Sequence, residues 1–181
     1  MPIRATQRLF FAALPDAPAR EQLVVLAGRL KPDYPARWIR PSRYHLTLCF
    51  LGACEGFETS FIEQARQAAS KVHAEIFVWR PDRVVGFRAA RPPCVLREGT
   101  PDASLQHLHR ALLEALAGQG LSVPDRRRYL PHVTLGYGHD RVLPARAVPA
   151  VVFPIRAFAL LHSVTGEADY RELGRWPLDG T

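Results

Sequence analysis

Tyr44-His45-Leu46-Thr47-Leu48-Cys49-Phe50-Leu51-Gly52 and Pro131-His132-Val133-Thr134-Leu135-Gly136-Tyr137 are the two stretches on which the reading of this chain turns. Each holds the pattern His-x-Thr-Leu with an apolar second residue, and the two histidines stand 87 positions apart. With seven His and seven Thr in 181 residues, chance supplies only about 0.3 His-x-Thr triplets by template counting. Two copies in matched apolar frames therefore mark an internal repeat. On a strand, residues i and i+2 project from one face. His45 and Thr47 then point together, as do His132 and Thr134, while Leu46, Leu48, Val133 and Leu135 point to the opposite, core side.

Working outward, Arg8 to Ala13 reads as a first strand, and Leu23, Leu26 and Leu30 recur at helical spacing behind Pro18 in a first turn. Trp38-Ile39 and Tyr44 to Leu51 read as two strands broken at Pro41-Ser42, with Gly52 closing the second. Phe61, Ala65, Ala68 and Val72 predict a second helix over 58–73. Ala74 to Arg97, rich in Val, Phe and Trp with breaks at Pro81 and Pro92-Pro93, reads as three short strands in a meander. Asp102 caps a third helix carrying Leu105, Leu108, Leu112 and Leu116, which Gly118 and Gly120 end. Strands over 131–137, 151–163 and 170–176 follow. The recurring order of strand, helix and grouped strands predicts an α+β protein of two similar halves. If a pseudo-twofold relates them, both His-Thr pairs face each other across a groove between the sheets.

Composition sets the bounds. The chain has 181 residues, 48% hydrophobic and 23% charged, which fits a single domain over residues 1–181 with a buried core and excludes disorder for most of it. Its net charge of +7 suits a polyanionic partner such as nucleic acid or an anionic membrane. The basic residues are 22 Arg and two Lys, Lys31 and Lys71, a split that codon bias alone can produce. No apolar run reaches the 18 or so residues of a membrane span, and the arginines are not gathered on one amphipathic helix. Cys49, Cys54 and Cys94 are odd in number, lack CxxC spacing and follow no signal peptide, so a cytoplasmic location is expected.

Two imidazoles suit phosphoryl chemistry in which one proton is taken and another given, because histidine alone holds either form near neutral pH. Thr47 and Thr134 would donate hydrogen bonds to phosphate oxygens as charge builds there. Such a site needs no metal. Cys49 shares the strand parity of His45 and Thr47, yet no third or fourth ligand stands at zinc spacing, so no metal or other cofactor is expected. His73, His107, His109, His139 and His162 lack the repeated frame and read as structural or surface residues. Arg126-Arg127-Arg128, before the second motif, is either a guide for an RNA backbone or a solvated loop. Phe11, Trp38 and Tyr44 are candidates to stack a terminal base, with core packing the default for Phe11.

These motifs resemble the two-histidine (2H) phosphoesterase superfamily and, within it, the RNA 2′,3′-cyclic phosphodiesterases also called 2′-5′ RNA ligases. The resemblance extends to Arg8-Leu9-Phe10-Phe11-Ala12, Phe50-Leu51-Gly52, Ser163 to Tyr170, and Trp176-Pro177-Leu178, and so covers nearly the whole chain. It implies a bilobal fold, two antiparallel sheets with outer helices around a central cleft. The implied reaction opens a 2′,3′-cyclic phosphate on an RNA 3′ end to a 2′-phosphate, without metal or ATP. An RNA 5′-hydroxyl in place of water would yield a 2′-5′ bond. By the same resemblance His45 protonates the departing O3′, His132 activates the water, and Thr47 and Thr134 hold the phosphate. Tyr137 stands where many relatives have an Arg, three residues after the motif Thr. Either its phenol replaces that group, or Arg43 or Arg141 reaches in. The expected partner is RNA with a cyclic-phosphate end, tRNA fragments among them, bound by a monomer with no membrane contact. The competing readings are a non-catalytic RNA-binding module and a 2H enzyme for another phosphoester.

Overall fold

The structure, a computed structural model, describes residues 6–123, 129–139 and 141–179. Its first half opens with β1 (Gln7–Ala13), α1 (Ala17–Leu30), β2 (Ala36–Trp38), a 3-10 turn (Pro41–Arg43), β3 (Leu46–Cys54) and α2 (Thr59–Ala69). Then come β4 (Phe77–Trp79), β5 (Arg83–Gly86), β6 (Pro93–Arg97) and α3 (Ala103–Gly118). The chain continues through β7 (His132–Gly138), β8 (Arg146–Ala147), β9 (Phe153–Ile155), β10 (Ala157–Val164) and β11 (Arg171–Pro177).

The strands line up as β11-β10-β1-β3-β7-β6-β5-β8, with β2 paired to β7. Every named ladder is antiparallel. Two half-sheets meet at the β3–β7 seam, where Leu46 and Val133 form the single registered pair. Each half therefore delivers one His-x-Thr strand to the seam. The expected α+β fold of antiparallel sheets and outer helices is the one observed.

Strand periodicity explains which face is which. On β1, Leu9, Phe11 and Ala13 join the large core shared with Leu23 and Leu26 of α1, Ala65 of α2 and Leu105 of α3. Phe10 and Ala12 point the other way, into a smaller cluster with Ala159 and Leu161 of β10. Both faces of β1 are buried, as befits a strand flanked on both sides. All three helices thus cover one face of the sheet and leave the opposite face to form the cleft. Asp16 and Asp102 accept hydrogen bonds at 2.9 Å from the backbone N–H of Ala19 and Leu105, caps worth about 1 kcal/mol each.

Three expectations need correcting. Residues 74–97 do not form one meander: β5 and β6 pair, but β4 leaves to pair with β9 in a separate two-stranded sheet. Trp79 explains the departure. Its ring packs at 5.8 Å from Phe153, and its indole N–H donates to buried Glu98 at 2.6 Å. The run 151–163 is likewise split into β9 and β10. Gly52 does not end β3, which runs on to Cys54. It sits beside a register shift opposite Leu9, with φ of +154°, backbone that glycine adopts without strain. The Arg126–Arg128 run lies outside the described residues.

Candidate active site

Two β-bulges shape the site. Opposite β1, Ala12 pairs with Thr47 and Phe11 with Cys49, so Leu48 is the extra residue. Opposite β6, Val95 pairs with Thr134 and Cys94 with Gly136, so Leu135 is extra. The same bulge thus falls at the same place in both motifs, directly after the threonine. A bulge shifts the alternation of side chains and commonly re-aims them beside functional sites. Leu48 and Cys49 consequently both enter the helix-side core. Phe50 and Tyr137, each three residues beyond the motif Thr, return to the cleft with Thr47 and Thr134. Cys49 is therefore not on the His45 face, and the suggested His45–Cys49 pair does not form. Among the described residues no group of three or more His, Cys, Asp or Glu is placed to hold a metal ion.

The cleft has a volume of about 910 Å³ and contains His45, Thr47, His132, Thr134 and Tyr137 together. His45 lies immediately before β3, and His132 is the first residue of β7. Each imidazole is fixed by the carbonyl two residues upstream: His45 Nδ1 lies 2.8 Å from Arg43 O, and His132 Nδ1 lies 2.7 Å from Leu130 O. A carbonyl only accepts, so Nδ1 carries the hydrogen in both rings and Nε2 is the nitrogen left for a ligand. Matching tautomers in the two halves follow from one local backbone geometry used twice.

Side chains behind these carbonyls hold them in place. The Arg43 guanidinium donates to Glu167 O at 3.1 Å, Ala168 O at 3.0 Å and Ser163 Oγ at 3.3 Å, and lies 4.2 Å above the Tyr170 ring. Tyr170 meets the His45 ring edge-on at 5.2 Å, and Phe10 flanks it at 5.0 Å. On the other side Phe87 meets His132 edge-on at 5.2 Å. Tyr129 donates to Thr47 O at 3.2 Å and stacks on His109, whose Nδ1–H donates to the bulged Leu48 carbonyl at 2.7 Å. His109 thus serves the backbone of the first motif rather than the cleft.

The electrostatics follow from this packing. His45 is pushed down to about 4, first by desolvation, with the bond to Arg43 O acting the other way and the neighbouring charges of His132 and Arg43 adding to the fall. His132 is lowered too, first by desolvation and then by Arg97, against its bond to Leu130 O. Both rings are therefore neutral near pH 7, and charge on His132 disfavours protonation of His45. Around them stand Arg8, Arg37, Arg40 and Arg43, with Glu167 the one carboxylate among the described lining residues. Glu167 is bonded to Arg171. The cleft is thus a cationic pocket with two proton-accepting nitrogens and two hydroxyls at its floor.

Of the remaining sequence candidates, Trp38 lines this cleft, whereas Phe11 and Tyr44 are buried in the core. Arg43 lines it with its guanidinium held by the 163–168 turn. Arg141 does not line it: its guanidinium donates to Asp33 O at 2.7 Å, and its carbonyl accepts from Tyr34. His139, His107 and His73 are exposed, and His162 bonds Gln7 at 2.8 Å. Phe50, Arg8, Arg37 and Arg40 were not anticipated. Aligning the two motifs would have found Phe50, since it occupies the place of Tyr137, but the arginines carry no local signal.

Comparison with known proteins agrees with this architecture. The family model of the 2′-5′ RNA ligase superfamily matches residues 14–167. The RNA 2′,3′-cyclic phosphodiesterase of Geobacillus stearothermophilus is 26% identical over 182 residues, covering 94% of this chain and 57% of the relative. That of Bacillus subtilis (strain 168) is 33% identical over 106 residues, covering 55% and 54%. The chain thus spans about half the length of the curated relatives it matches. The crystal structure of E. coli LigT complexed with 3′-AMP superposes with a TM-score of 0.79 at 25% identity, covering 96% of this chain and 98% of that one. No helix among the described residues is long and apolar enough to cross a membrane. The paired motifs, the seam that joins them and the match over residues 14–167 place this chain in the 2′-5′ RNA ligase superfamily.

Proposed function

We propose that this protein hydrolyses the 2′,3′-cyclic phosphate at the 3′ end of RNA to a 2′-phosphate, in the cytoplasm, by acid–base catalysis between His45 and His132. The observation that carries the reading is the pair of matching carbonyl bonds, which leaves both Nε2 atoms available in one cationic cleft. The names of the relatives support the substrate class.

In this mechanism the cyclic phosphate sits between the rings, with Thr47 and Thr134 donating to its non-bridging oxygens and Tyr137 contacting it from the rim. His132 Nε2 takes a proton from water as the water oxygen bonds to phosphorus. The bond from phosphorus to O3′ breaks, and protonated His45 delivers its proton to O3′. The products are a 2′-phosphate and a free 3′-hydroxyl. His132 ends protonated and His45 neutral, and exchange with solvent in the open cleft restores the starting state. A 5′-hydroxyl in place of water gives a 2′-5′ linkage by the same proton transfers.

The test is turnover of a cyclic-phosphate oligonucleotide in excess EDTA, with the product position identified. A 2′-phosphate product is expected, with kcat/KM following a bell centred below pH 6.5. Both free imidazoles are depressed, so the protonated acid becomes tenfold scarcer with each pH unit above its pKa. Full activity in His45→Ala or His132→Ala, loss of activity on chelation, or a 3′-phosphate product would overturn the assignment.

A further inference from the structure

The cleft holds more positive charge than the reacting group requires. A 2′,3′-cyclic phosphate is a diester with one negative charge, whereas four arginines line the cleft. Arg43 is committed to the carbonyls of Glu167 and Ala168 and to Ser163. Glu167 is occupied by Arg171. The guanidiniums of Arg8, Arg37 and Arg40 have no hydrogen-bond or ion-pair partner among the described residues. Three guanidiniums therefore stand over a site whose reacting group, on the function proposed above, brings a single charge.

Their placement is uneven. Arg8 stands on the β10 side of the cleft, opposite Ser163 in register and near the 163–168 turn. Arg37 and Arg40 stand together on the other side. Arg37 lies directly across the β2–β7 ladder from Tyr137, so the guanidinium and the phenol share one face of the sheet. Tyr137 is 36% exposed, a ring at the rim rather than in the core. Arg40 comes just before the 3-10 turn that leads into His45. Cations alternating with an exposed ring are what single-stranded nucleic acid needs, since the cations follow its backbone while a base stacks on the aromatic face.

We infer that Arg37 on β2 and Arg40 just beyond it, with Tyr137 opposite Arg37, form a subsite for the chain of a single-stranded oligonucleotide leading up to the reacting end. Arg37 and Arg40 bind two internal phosphates, and the Tyr137 ring stacks the adjoining base. The substrate class is thereby an oligonucleotide rather than a mononucleotide, and the strand leaves the site over β2 rather than past Arg8.

Salt dependence measures this directly. For single strands each neutralised phosphate contributes about −0.7 to the slope of log affinity against log salt. Two such contacts give a slope about 1.4 steeper for an oligonucleotide than for a mononucleotide, or roughly a 12-fold larger loss of affinity between 50 and 300 mM NaCl. The probes are a fluorescent tetrauridylate ending in a 2′-phosphate, read by anisotropy, and uridine 2′-monophosphate, read by calorimetry. The steeper slope is expected in the wild-type protein and in Arg37→Lys/Arg40→Lys, which keeps both charges. Arg37→Gln/Arg40→Gln, with its folding checked by circular dichroism, should bring the two probes to equal slopes. Arg8→Gln should keep the difference. Equal slopes in the wild type, an unchanged slope in the double Gln variant, or a flattened slope in Arg8→Gln alone would each overturn the subsite. This assay reads binding of a product-like end, so it stands apart from turnover of uridine 2′,3′-cyclic phosphate, which tests the proposed reaction.

Discussion

Anion binding in the cleft should draw a proton onto an imidazole, and the size of the effect can be worked out from the packing. His45 is held near 4, so at pH 7 only about one molecule in a thousand carries a proton there. An anion about 4 Å from Nε2 at an effective dielectric near 20 supplies about 4 kcal/mol of attraction. That equals roughly three pKa units, enough to bring the group to neutrality. Binding then takes up about half a proton at pH 7 and nearly a whole one by pH 6, so affinity rises about fivefold from pH 7 to 6 and about eightfold from 6 to 5. Sulfate is the suitable probe, because its own charge is constant over that range. The assay is calorimetric sulfate titration at pH 7, 6 and 5, with the imidazole Hε1 and Nε2 resonances followed by NMR. Roughly 50-fold tightening across the two units is expected in the wild type and should be weakened or lost in His45→Gln. Sulfate affinity that stays flat with pH, or a His45 resonance titrating near 6.5 in the empty protein, would refute the reasoning.

Replacing Thr47 or Thr134 by Val keeps the shape but removes a hydroxyl proposed above to hold the phosphate, and kcat should fall about 10²- to 10³-fold with melting temperature nearly unchanged; a loss under threefold would refute that role. Arg43→Ala takes away a cation that depresses His45, so the His45 titration midpoint should move up toward its ordinary value by NMR. Stability should also follow pH through His45. The unfolded chain takes up this proton near 6.5 while the folded one resists it down to about 4; the contribution is therefore complete above pH 6.5 and is lost on acidification toward pH 4. Roughly 3 kcal/mol is at stake, and urea unfolding of wild type and His45→Asn should show a smaller acid loss in the variant.

Much of the site was legible because a period of two and a repeated triplet are local signals. His45 and Thr47, and likewise His132 and Thr134, do line one cleft, as strand alternation requires. Alternation failed one residue later. Nothing in Leu48 or Leu135 announces that it is the extra residue of a bulge, since that depends on the partner strand. Cys49 was accordingly assigned to the wrong face and Phe50 was missed. The helices could be read because their leucine spacing and Asp caps lie within a few residues of each other. Pairing of β4 with β9 could not, because it joins segments some 75 residues apart through the buried Trp79–Phe153 contact. Nor could the carbonyl partners of the two imidazoles, which any residue supplies equally well.

The strand order also dictates when each half of the site can form during folding. β5, β6 and β7 fall within residues 83–138 and pair with near neighbours in sequence. β1 reaches β3 over a similar separation, but its other edge must wait for β10, whose Leu161 pairs with Phe10 across about 150 residues. Closing the longer loop costs about 1 kcal/mol more than closing one of 40 residues, and such non-local pairing is slow. The half that carries His132 can therefore assemble early, while the half that carries His45 is completed only when a distant strand arrives. In pulse-labelled hydrogen exchange, amides bonded across the β6–β7 ladder should gain protection before those bonded across the β1–β10 ladder. The two imidazoles are alike in their finished surroundings, yet they reach them along routes of very different length.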